Sequence, residues 1–262
     1  MSLTRNTLKD LRALAQKKFR EEQDLFLIEG FRLVTEAADS DFEFIEVYHT
    51  HGAAEDHLVK ALLHKLQRKT RVTLTTEREL ESFTDTVQAQ GIAAVLRQKH
   101  ASPEALLRNN GGHSIIVAAD AVSDPGNLGS MIRTCDWFGV DAIALGVNTV
   151  DLYNPKVVRS TMGGLFHLPI IDGVDLPVLL SKAKSAGYTV YVTDTEGTAH
   201  FDRLKYASKS LVVFGNEAWG ASEAVKVLAD ARVVIRRYGA GESLNVGVAC
   251  GIILSSMRRL FN

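Results

Sequence analysis

The sequence has only two cysteines, and their placement argues against several classes of protein. Cys135 and Cys250 lie far apart in the 262 residues, and neither belongs to a CxxC pair or to a paired histidine spacing. Neither a zinc knuckle nor a disulfide framework is supported, so we expect no metal. Because structural disulfides belong to oxidising compartments, this cysteine usage predicts a cytoplasmic protein.

Long hydrophobic runs are also missing. The longest apolar stretch, residues 246–254, is too short to cross a bilayer. The basic N-terminus lacks the hydrophobic region of a signal peptide, and we therefore expect no membrane function. Hydrophobic residues make up 46% and charged residues 23% of the chain. These fractions are close to those of globular proteins and exclude a disordered chain.

An excess of either charge is absent, since 30 Lys and Arg stand against 31 Asp and Glu. An RNA partner would therefore have to bind a local basic patch. Residues 1–20 carry six cations against one acidic residue, and a second cluster lies in residues 65–71. Each cluster taken alone also fits a solvated helix face.

Hydrophobic periodicity predicts a small α/β domain followed by a larger one. An amphipathic helix is predicted over residues 4–18. After it we expect strands at 24–28, 43–48, 71–75 and 92–97 and helices at 31–38 and 54–67. Turn-forming residues between 99 and 113 mark a boundary. The predicted organisation is a domain of residues 1–100, a linker of residues 101–112 and a domain of residues 113–262.

The second domain alternates apolar strands with helices. The predicted strands are 115–119, 142–145, 167–170, 189–193, 211–214 and 232–235, and the main predicted helices are 127–138, 178–186, 221–228 and 246–260. Because the strands are almost continuously hydrophobic, they should be covered on both faces. This pattern is typical of a doubly wound parallel sheet.

Ligands of such sheets bind beyond the carboxyl ends of the strands, where the sequence has an unusual first loop. Asn127 could cap the helix that follows, with Arg133 near an anion-binding helix start. An ordinary helix cap and a surface arginine would give the same pattern. A classical dinucleotide site fits poorly, because GxGxxG is absent and no acidic residue follows the strand 142–145.

Two further loops carry candidate polar groups. Glu217 lies between two glycines after a strand and could act as a general base or ligand anchor, or simply favour the first turn of a helix. Ser243 could cap the last helix. Asn245, which we expect to be buried at the head of that apolar helix, needs a hydrogen-bond partner for its amide.

Together the three loops resemble the ordered motifs of the SpoU (TrmH-like) RNA ribose 2′-O-methyltransferases. The matching segments read Asn127-x-Gly129-x-x-x-Arg133, Gly215-Asn216-Glu217-x-x-Gly220 and Ser243-Leu244-Asn245-Val246. Residues 154–166 resemble the segment between the first two motifs, and residues 17–30 and 90–93 resemble the L30e-like substrate-binding domain of this family. The resemblance implies an α/β fold of the SPOUT type, with a parallel sheet and a C-terminal trefoil knot, preceded by a smaller L30e-like α/β domain.

The resemblance also implies a function, which is S-adenosylmethionine-dependent 2′-O-methylation of an RNA ribose by a homodimer. Relatives with this kind of N-terminal domain act on large-subunit ribosomal RNA, so 23S rRNA is the expected substrate. A tRNA ribose methyltransferase and a non-catalytic RNA-binding module on the same fold are the alternatives.

The implied site residues fall into three groups. The catalytic group is Asn127, Arg133, Glu217, Ser243 and Asn245. The cofactor group is Thr193, Gly215, Asn216, Gly220, Ile235, Leu244, Asn245 and Ala249, and the RNA-binding group is Arg12, Lys17, Lys18, Arg20 and Arg159. The family usually has proline after Ile235, where this chain has Arg236, so that loop should be less rigid.

Within the catalytic group, Arg133 should bind a phosphate and the developing alkoxide, since a guanidinium stays protonated. Asn127 and Ser243 would orient Arg133, and Asn245 would bond near the ribose. Glu217 would either fix this network or accept the proton through water. Arg159 could reach the active site of a partner subunit or form an intramolecular salt bridge.

Overall fold

The computed structural model describes residues 3–85, 90–102, 106–107 and 112–259. Much of the predicted linker, residues 103–105 and 108–111, lies outside the described residues. The chain divides into two compact units. The N-terminal unit contains Met1–Lys99 and Leu152–Phe166, and the C-terminal unit contains His100–Asp151 and His167–Asn262.

The elements run in chain order as follows. The first part has α1 (Arg5–Ala13), α2 (Lys17–Gln23), β1 (Leu25–Glu29), α3 (Phe31–Ala38), β2 (Phe44–His49), a 3₁₀ turn (Ala53–Glu55), α4 (His57–Leu66), β3 (Arg71–Leu74), α5 (Glu77–Glu81) and β4 (Ile92–Arg97). The second part has β5 (Ser114–Ala119), α6 (Pro125–Trp137), β6 (Ala142–Gly146), α7 (Pro155–Ser160), a 3₁₀ turn (Gly164–Phe166), β7 (Ile170–Val174), α8 (Leu176–Ser185), β8 (Thr189–Thr193), β9 (Ala199–His200), β10 (Lys209–Phe214), α9 (Glu223–Lys226), β11 (Ala231–Val234) and α10 (Val246–Arg258).

The sheet of the N-terminal unit has the strand order β1-β4-β2-β3. β4 is antiparallel to both of its neighbours, and β2 is parallel to β3. The predicted single helix over residues 4–18 is wrong, because the chain breaks between α1 and α2. The guanidinium of Arg20 donates to the carbonyl oxygens of Leu14 and Ala15, each at 2.8 Å, and these bonds stabilise the break.

Two other helix boundaries follow from capping residues. The predicted helix 54–67 begins at its N-cap Asp56, whose carboxylate accepts from the backbone N–H groups of Leu58 and Val59. The sequence analysis missed α5, although Thr76 and Glu79 form a capping box at its start.

The sheet of the C-terminal unit has seven strands in the order β7-β6-β5-β10-β8-β11-β9. Every neighbouring pair is parallel, and all six residues of the central β5 are buried. The structure therefore confirms the predicted parallel sheet. The strand predicted at residues 167–170 begins later, as β7 at Ile170. The predicted range contains Pro169, which has no backbone N–H to donate to a neighbouring strand.

Helices α6 and α10 of the C-terminal unit pack together through small residues. A Cβ atom added at Gly247 would lie 3.2 Å from Cβ of Ser130, and one added at Gly251 would lie 3.7 Å from Cγ2 of Thr134. This close approach brings the N-terminal end of α10 beside the first turns of α6.

The segment Leu152–Phe166 was predicted to belong to the second domain, yet it packs into the N-terminal unit. The ring of Tyr153 lies 4.5 Å from that of Phe26, and the ring of Phe166 lies 5.2 Å from that of Phe42. The hydroxyl of Tyr153 also accepts a 2.8 Å hydrogen bond from the backbone N–H of Lys99. The buried apolar side chains of the segment are Leu152, Tyr153, Val157, Val158, Leu165 and Phe166.

Deleting residues 1–99 should therefore leave an unstable remainder, because the segment would lose Phe26, Phe42 and the backbone of Lys99. Each apolar side chain returned to water costs roughly 1.5–3 kcal/mol. We expect the truncated chain to bind the dye ANS and to aggregate on heating, as measured by fluorescence and light scattering.

In the full chain, Tyr153→Phe should lower the free energy of unfolding by only about 1 kcal/mol, the net value of a hydrogen bond. A truncated chain that stays monodisperse and binds no ANS would contradict this account.

Candidate active site

Two hydrogen bonds join one residue from each of the three predicted motifs. Nδ2 of Asn127 donates to Oε1 of Glu217 at 2.8 Å. Nδ2 of Asn245 donates to Oδ1 of Asn127 at 2.7 Å. Asn127 is thus the central member of a chain that connects residues 90 and 118 positions away. We call Glu217, Asn127 and Asn245 the polar chain.

The sheet explains why the first two motifs meet. β5 and β10 are adjacent and parallel, and Ala119 pairs with Phe214 at their carboxyl ends. The loops that follow these strands therefore leave the sheet side by side. The third motif lies at the start of α10, which packs against α6 beside the first motif.

Helix capping at the first motif differs from the prediction. Asp124, not Asn127, is the N-cap of α6, and its Oδ1 accepts from the backbone N–H of Asn127 at 2.8 Å. Pro125 follows at the first helical position, which is a common place for proline. The side chain of Asn127 is consequently free of capping and can join the polar chain.

Glu217 is surrounded by hydrogen-bond donors. Its Oε2 accepts from the backbone N–H and the hydroxyl of Ser123, both at 3.2 Å. Its Oε1 accepts from the backbone N–H of Asp124 at 3.2 Å and from Asn127. Burial raises the pKa of Glu217, but these hydrogen bonds lower it by more, so its pKa lies below the ordinary value.

This environment bears on the two roles that the sequence left open for Glu217. An ionised carboxylate with a low pKa and with donors on both oxygens is a poor proton acceptor. The geometry therefore favours Glu217 as the anchor of the polar chain. It also lies in a turn before α9, so the alternative of a first-turn helix residue is wrong.

Asn245 rather than Ser243 caps α10. Its Oδ1 accepts from the backbone N–H groups of Gly247 at 2.9 Å and Val248 at 3.2 Å. Asn245 is exposed and not buried as expected, but its amide has the partner that the sequence required, Asn127. Ser243 is exposed, and the structure gives it no hydrogen bond to any described residue.

Arg133 is an exposed residue on α6. Within the described ranges its guanidinium has neither an ion pair nor a hydrogen bond, so the structure does not join it to the polar chain or to Ser243. A cation without a protein partner can bind an external anion without first losing an ion pair.

The second motif forms a closed turn, residues 215–220. The backbones of Asn216 and Gly220 exchange two hydrogen bonds of 2.9 and 3.0 Å. The Asn216 side chain, buried in the protein, donates to the Ala121 carbonyl at 2.7 Å and accepts from the Ala218 N–H at 2.8 Å. A Cβ at Gly215 would lie 2.0 Å from the backbone nitrogen of Ala221. Only glycine fits there, and the turn is rigid. Both the backbone and the side chain of Asn216, one of the predicted cofactor ligands, are therefore already hydrogen-bonded within the protein.

The other predicted cofactor residues lie around the ends of β8, β11 and α10. Thr193 is the last residue of β8, Ile235 follows β11, and Leu244 and Ala249 flank the start of α10. An ion pair that the sequence analysis missed joins the end of β8 to β11. The carboxylate of Asp194 accepts from Nε of Arg232 at 2.8 Å.

The predicted RNA-binding residues differ in accessibility. Arg12, Lys17 and Lys18 are exposed, and the two lysines lie 3.5 and 3.8 Å from glutamates one turn further along α2. Arg20 is only 2% exposed. The prediction that Arg20 contacts RNA is wrong for this conformation, because its guanidinium binds carbonyls inside the N-terminal unit. Arg159 also lies in that unit.

Arg159 forms the intramolecular salt bridge that was one of its two predicted roles. Its Nη1 lies 3.1 Å from Oε1 of Glu29 and 3.3 Å from Oδ2 of Asp85.

No group of three or more metal-ligating side chains occurs among the residues that the structure describes. None of the helices in the described ranges is both long and apolar enough to cross a membrane.

Replacing Glu217 by Gln should destabilise the protein by about 1 kcal/mol at neutral pH, because one oxygen becomes an NH₂ group facing donors. The carboxylate is partly exposed, so we expect no more. The folded pKa lies below the ordinary 4.5. The stabilisation is therefore complete above pH 4.5 and is lost as pH falls through the folded pKa.

Urea unfolding of wild type and Glu217→Gln between pH 7 and pH 3 measures this difference. The gap in unfolding free energy should narrow at the acidic end. The exposed Glu242, in a neighbouring loop, provides a matched control in which Glu242→Gln should change little at any pH. A gap that widens on acidification would show that the Glu217 carboxyl is protonated more readily when folded.

Both parts of the chain match known protein families. Residues 114–255 match the profile of the SpoU rRNA Methylase family, and residues 5–94 match the MRM3-like substrate binding domain. The 23S rRNA (guanosine(2553)-2′-O)-methyltransferase RlmP of Bacillus subtilis is 34% identical over 254 residues, which cover 96% of this chain and 95% of RlmP.

Solved structures of related proteins share the fold. An AdoMet-bound rRNA methyltransferase from Sinorhizobium meliloti superposes with a TM-score of 0.89 at 29% identity, covering 99% of this chain and 96% of that one. The SpoU methyltransferase AviRb from Streptomyces viridochromogenes, in complex with AdoMet, has the same fold, with a TM-score of 0.89 at 24% identity and 98% of both chains covered. With its three motifs joined by the polar chain, this protein belongs to the SpoU rRNA methylase family.

Proposed function

We propose that the protein transfers a methyl group from S-adenosylmethionine to a ribose 2′-hydroxyl of 23S ribosomal RNA. The observation that carries this proposal is the polar chain, because it assembles Glu217, Asn127 and Asn245 at the carboxyl edge of a parallel sheet. The similarity to RlmP over nearly its full length supports the substrate.

The chemistry of the loops suits S-adenosylmethionine, which has an apolar adenine, a cationic sulfonium and polar ends. Leu244, which is 47% exposed, offers apolar surface next to the polar Asn245. Backbone groups of Gly215 and Ile235, with Thr193 and Ala249, would complete the site. When bound, the cofactor supplies an electrophilic methyl group.

S-Adenosylmethionine should bind the full-length protein in a calorimetric titration, and the affinity should be the same with EDTA present. The reason is that the proposed ligands are backbone groups and apolar side chains, which need no metal. Loss of binding after chelation would contradict the proposal.

The cytoplasmic location stays a prediction from the cysteine usage.

Transfer of tritiated methyl groups to ribosomal RNA and to tRNA tests the function itself. Label should appear on a ribose of 23S rRNA isolated from cells that lack the gene. Label on tRNA alone would favour the tRNA enzyme, and cofactor binding with no transfer to either RNA would favour a non-catalytic module.

Arg133 would act as a fixed cation in this reaction. A ribose hydroxyl is a weak nucleophile, and charge develops on its oxygen as the methyl group is transferred. Arg133 would bind an adjacent phosphate and stabilise that oxygen, while Asn127 and Asn245 would position the ribose. Because a guanidinium stays protonated and both Glu217 oxygens already accept hydrogen bonds, the hydroxyl proton would pass to solvent water. As the new C–O bond forms, the C–S bond would break and the sulfonium would leave as the neutral thioether of S-adenosylhomocysteine.

Arg133→Ala should lower kcat/KM for RNA at least 100-fold, and Arg133→Lys should retain a fraction of the activity, since an ammonium supplies charge without the bidentate geometry. An effect of this size is typical of losing one group that stabilises a developing oxyanion, about 10²–10³-fold. The dissociation constant for S-adenosylmethionine should stay unchanged in both variants. Full activity of Arg133→Ala on authentic rRNA would refute the role.

The N-terminal unit would select the RNA through its exposed cations. Arg12, Lys17 and Lys18 lie on α1 and α2 at its surface, whereas Arg20 is buried and takes no part. Structured RNA is recognised largely through such phosphate contacts together with exposed loops.

Lys17→Ala with Lys18→Ala should weaken RNA binding and reduce the slope of log K against log salt by roughly 1–2, because fewer counterions are released. A matched control is Glu21→Ala with Glu22→Ala, which removes the carboxylates beside the same lysines and should strengthen binding. Filter binding at several salt concentrations measures both variants. Equal slopes in wild type and the lysine variant would count against this surface.

A homodimer and a C-terminal trefoil knot complete the proposal. Exposed apolar side chains on α10 and in the segment Leu152–Phe166, Val248 at 51% and Met162 at 37%, provide surface for a second copy. Light scattering should give twice the 28.7 kDa chain mass. The placement of β8 between β10 and β11 is compatible with a knot, which a crystallographic trace of residues 189–259 would test.

A further inference from the structure

A large aromatic side chain stands exposed two residues after Glu217. Trp219 is 69% exposed, although tryptophan is normally among the more buried residues. Its surface contributes little to folding, since an indole must leave water to stabilise a core. The exposed indole is therefore available to a ligand outside the folded unit.

Hydrogen bonds and a close backbone approach fix the turn that carries Trp219. The turn 215–220 is closed by the two backbone hydrogen bonds between Asn216 and Gly220, and Asn216 is anchored to Ala121. At Gly215 the chain lies so close to Ala221 that no side chain would fit. A rigid turn thus presents the indole outward, next to the anchor of the polar chain.

We propose that Trp219 is a stacking platform for a nucleobase of the RNA substrate, adjacent to the ribose that is methylated. This inference rests on the proposed function and adds a specificity-determining contact to it. Unpaired bases of looped RNA stack on aromatic side chains, which bind any base through its face. The base would cover the exposed indole while Asn127 and Asn245 engage the sugar.

The open position of Trp219 favours RNA over the cofactor as its ligand. A small molecule is bound in a concave site that buries most of its surface. An indole with 69% of its surface in solvent is instead suited to a polymer passing across the protein. Contact of Trp219 with S-adenosylmethionine, or with a second copy of the chain, would overturn the proposal.

The chain has two tryptophans, which makes the contact directly observable. Trp137 is 85% exposed at the end of α6 and can be replaced by Phe so that Trp219 alone reports. A twelve-nucleotide oligoadenylate should quench the fluorescence of Trp137→Phe. An abasic oligomer of equal length and charge should not quench it. In the matched variant Trp219→Phe, where Trp137 reports, oligoadenylate should cause no quenching.

Kinetics on rRNA give an independent readout. Trp219→Ala should raise KM for RNA about tenfold, within the range seen when one stacking partner is lost, while kcat and the dissociation constant for S-adenosylmethionine stay close to wild type. Trp219→Phe should recover most of the loss because it keeps an aromatic face. A merely structural role would instead lower the melting temperature of Trp219→Ala and shift both constants.

Several results would overturn the inference. They are quenching by S-adenosylmethionine alone, equal quenching by the abasic oligomer, an unchanged KM in Trp219→Ala, or a loss of dimer mass in that variant. Failure of this inference and failure of the proposed function are distinguishable. An active enzyme with an unchanged KM in Trp219→Ala defeats only the stacking contact, whereas base-dependent quenching without methyl transfer defeats only the enzyme.

Discussion

The candidate site depends on one carboxylate. Glu217 accepts hydrogen bonds from Ser123, Asp124 and Asn127 and so gathers the loop after β5 against the loop after β10. Asn127, fixed in this way, presents its amide oxygen to Asn245. Without the charge on Glu217, the donors of the first loop would face a weaker acceptor, and the asparagine that links all three motifs would lose its orientation.

The parallel sheet supplies the positions that this carboxylate uses. Neighbouring parallel strands end at one edge, and buried hydrophobic strands such as β5 hold that edge in place. The small residues Gly247 and Gly251 then allow α10 to approach α6. The members of the polar chain therefore lie at the ends of packed strands and helices, whereas Arg133 and Trp219 are exposed.

Much of this arrangement could be predicted from sequence because it follows from local patterns. Apolar runs predicted the strands, and the order of motifs predicted the family. The pairing of Asn127 with Asn245 was not predicted, because the sequence analysis placed Asn127 and Ser243 against Arg133. Asn245 was expected to need a partner because it was predicted to be buried; it is exposed and caps α10, and its amide donates to Asn127. Asp124 could have been recognised as the true cap of α6, since it precedes Pro125.

What could not be predicted depends on contacts between residues distant in sequence. Arg20 reads as one more surface cation until the chain folds back and its guanidinium binds the end of α1. The segment Leu152–Phe166 follows the first motif in sequence, but its aromatic rings are covered by Phe26 and Phe42. The pKa of Glu217 likewise depends on Ser123 and Asp124, which lie more than 90 residues away.

The most direct test of the account is a double-mutant cycle between Asn127 and Asn245, read as kcat/KM for methyl transfer to 23S rRNA. If their hydrogen bond assembles the site, Asn127→Ala and Asn245→Ala should each be strongly impaired. The double variant should be little worse than either one, with a coupling energy of about 1–3 kcal/mol. Additive losses in the double variant would mean that the two residues act independently and would contradict the central role of the polar chain.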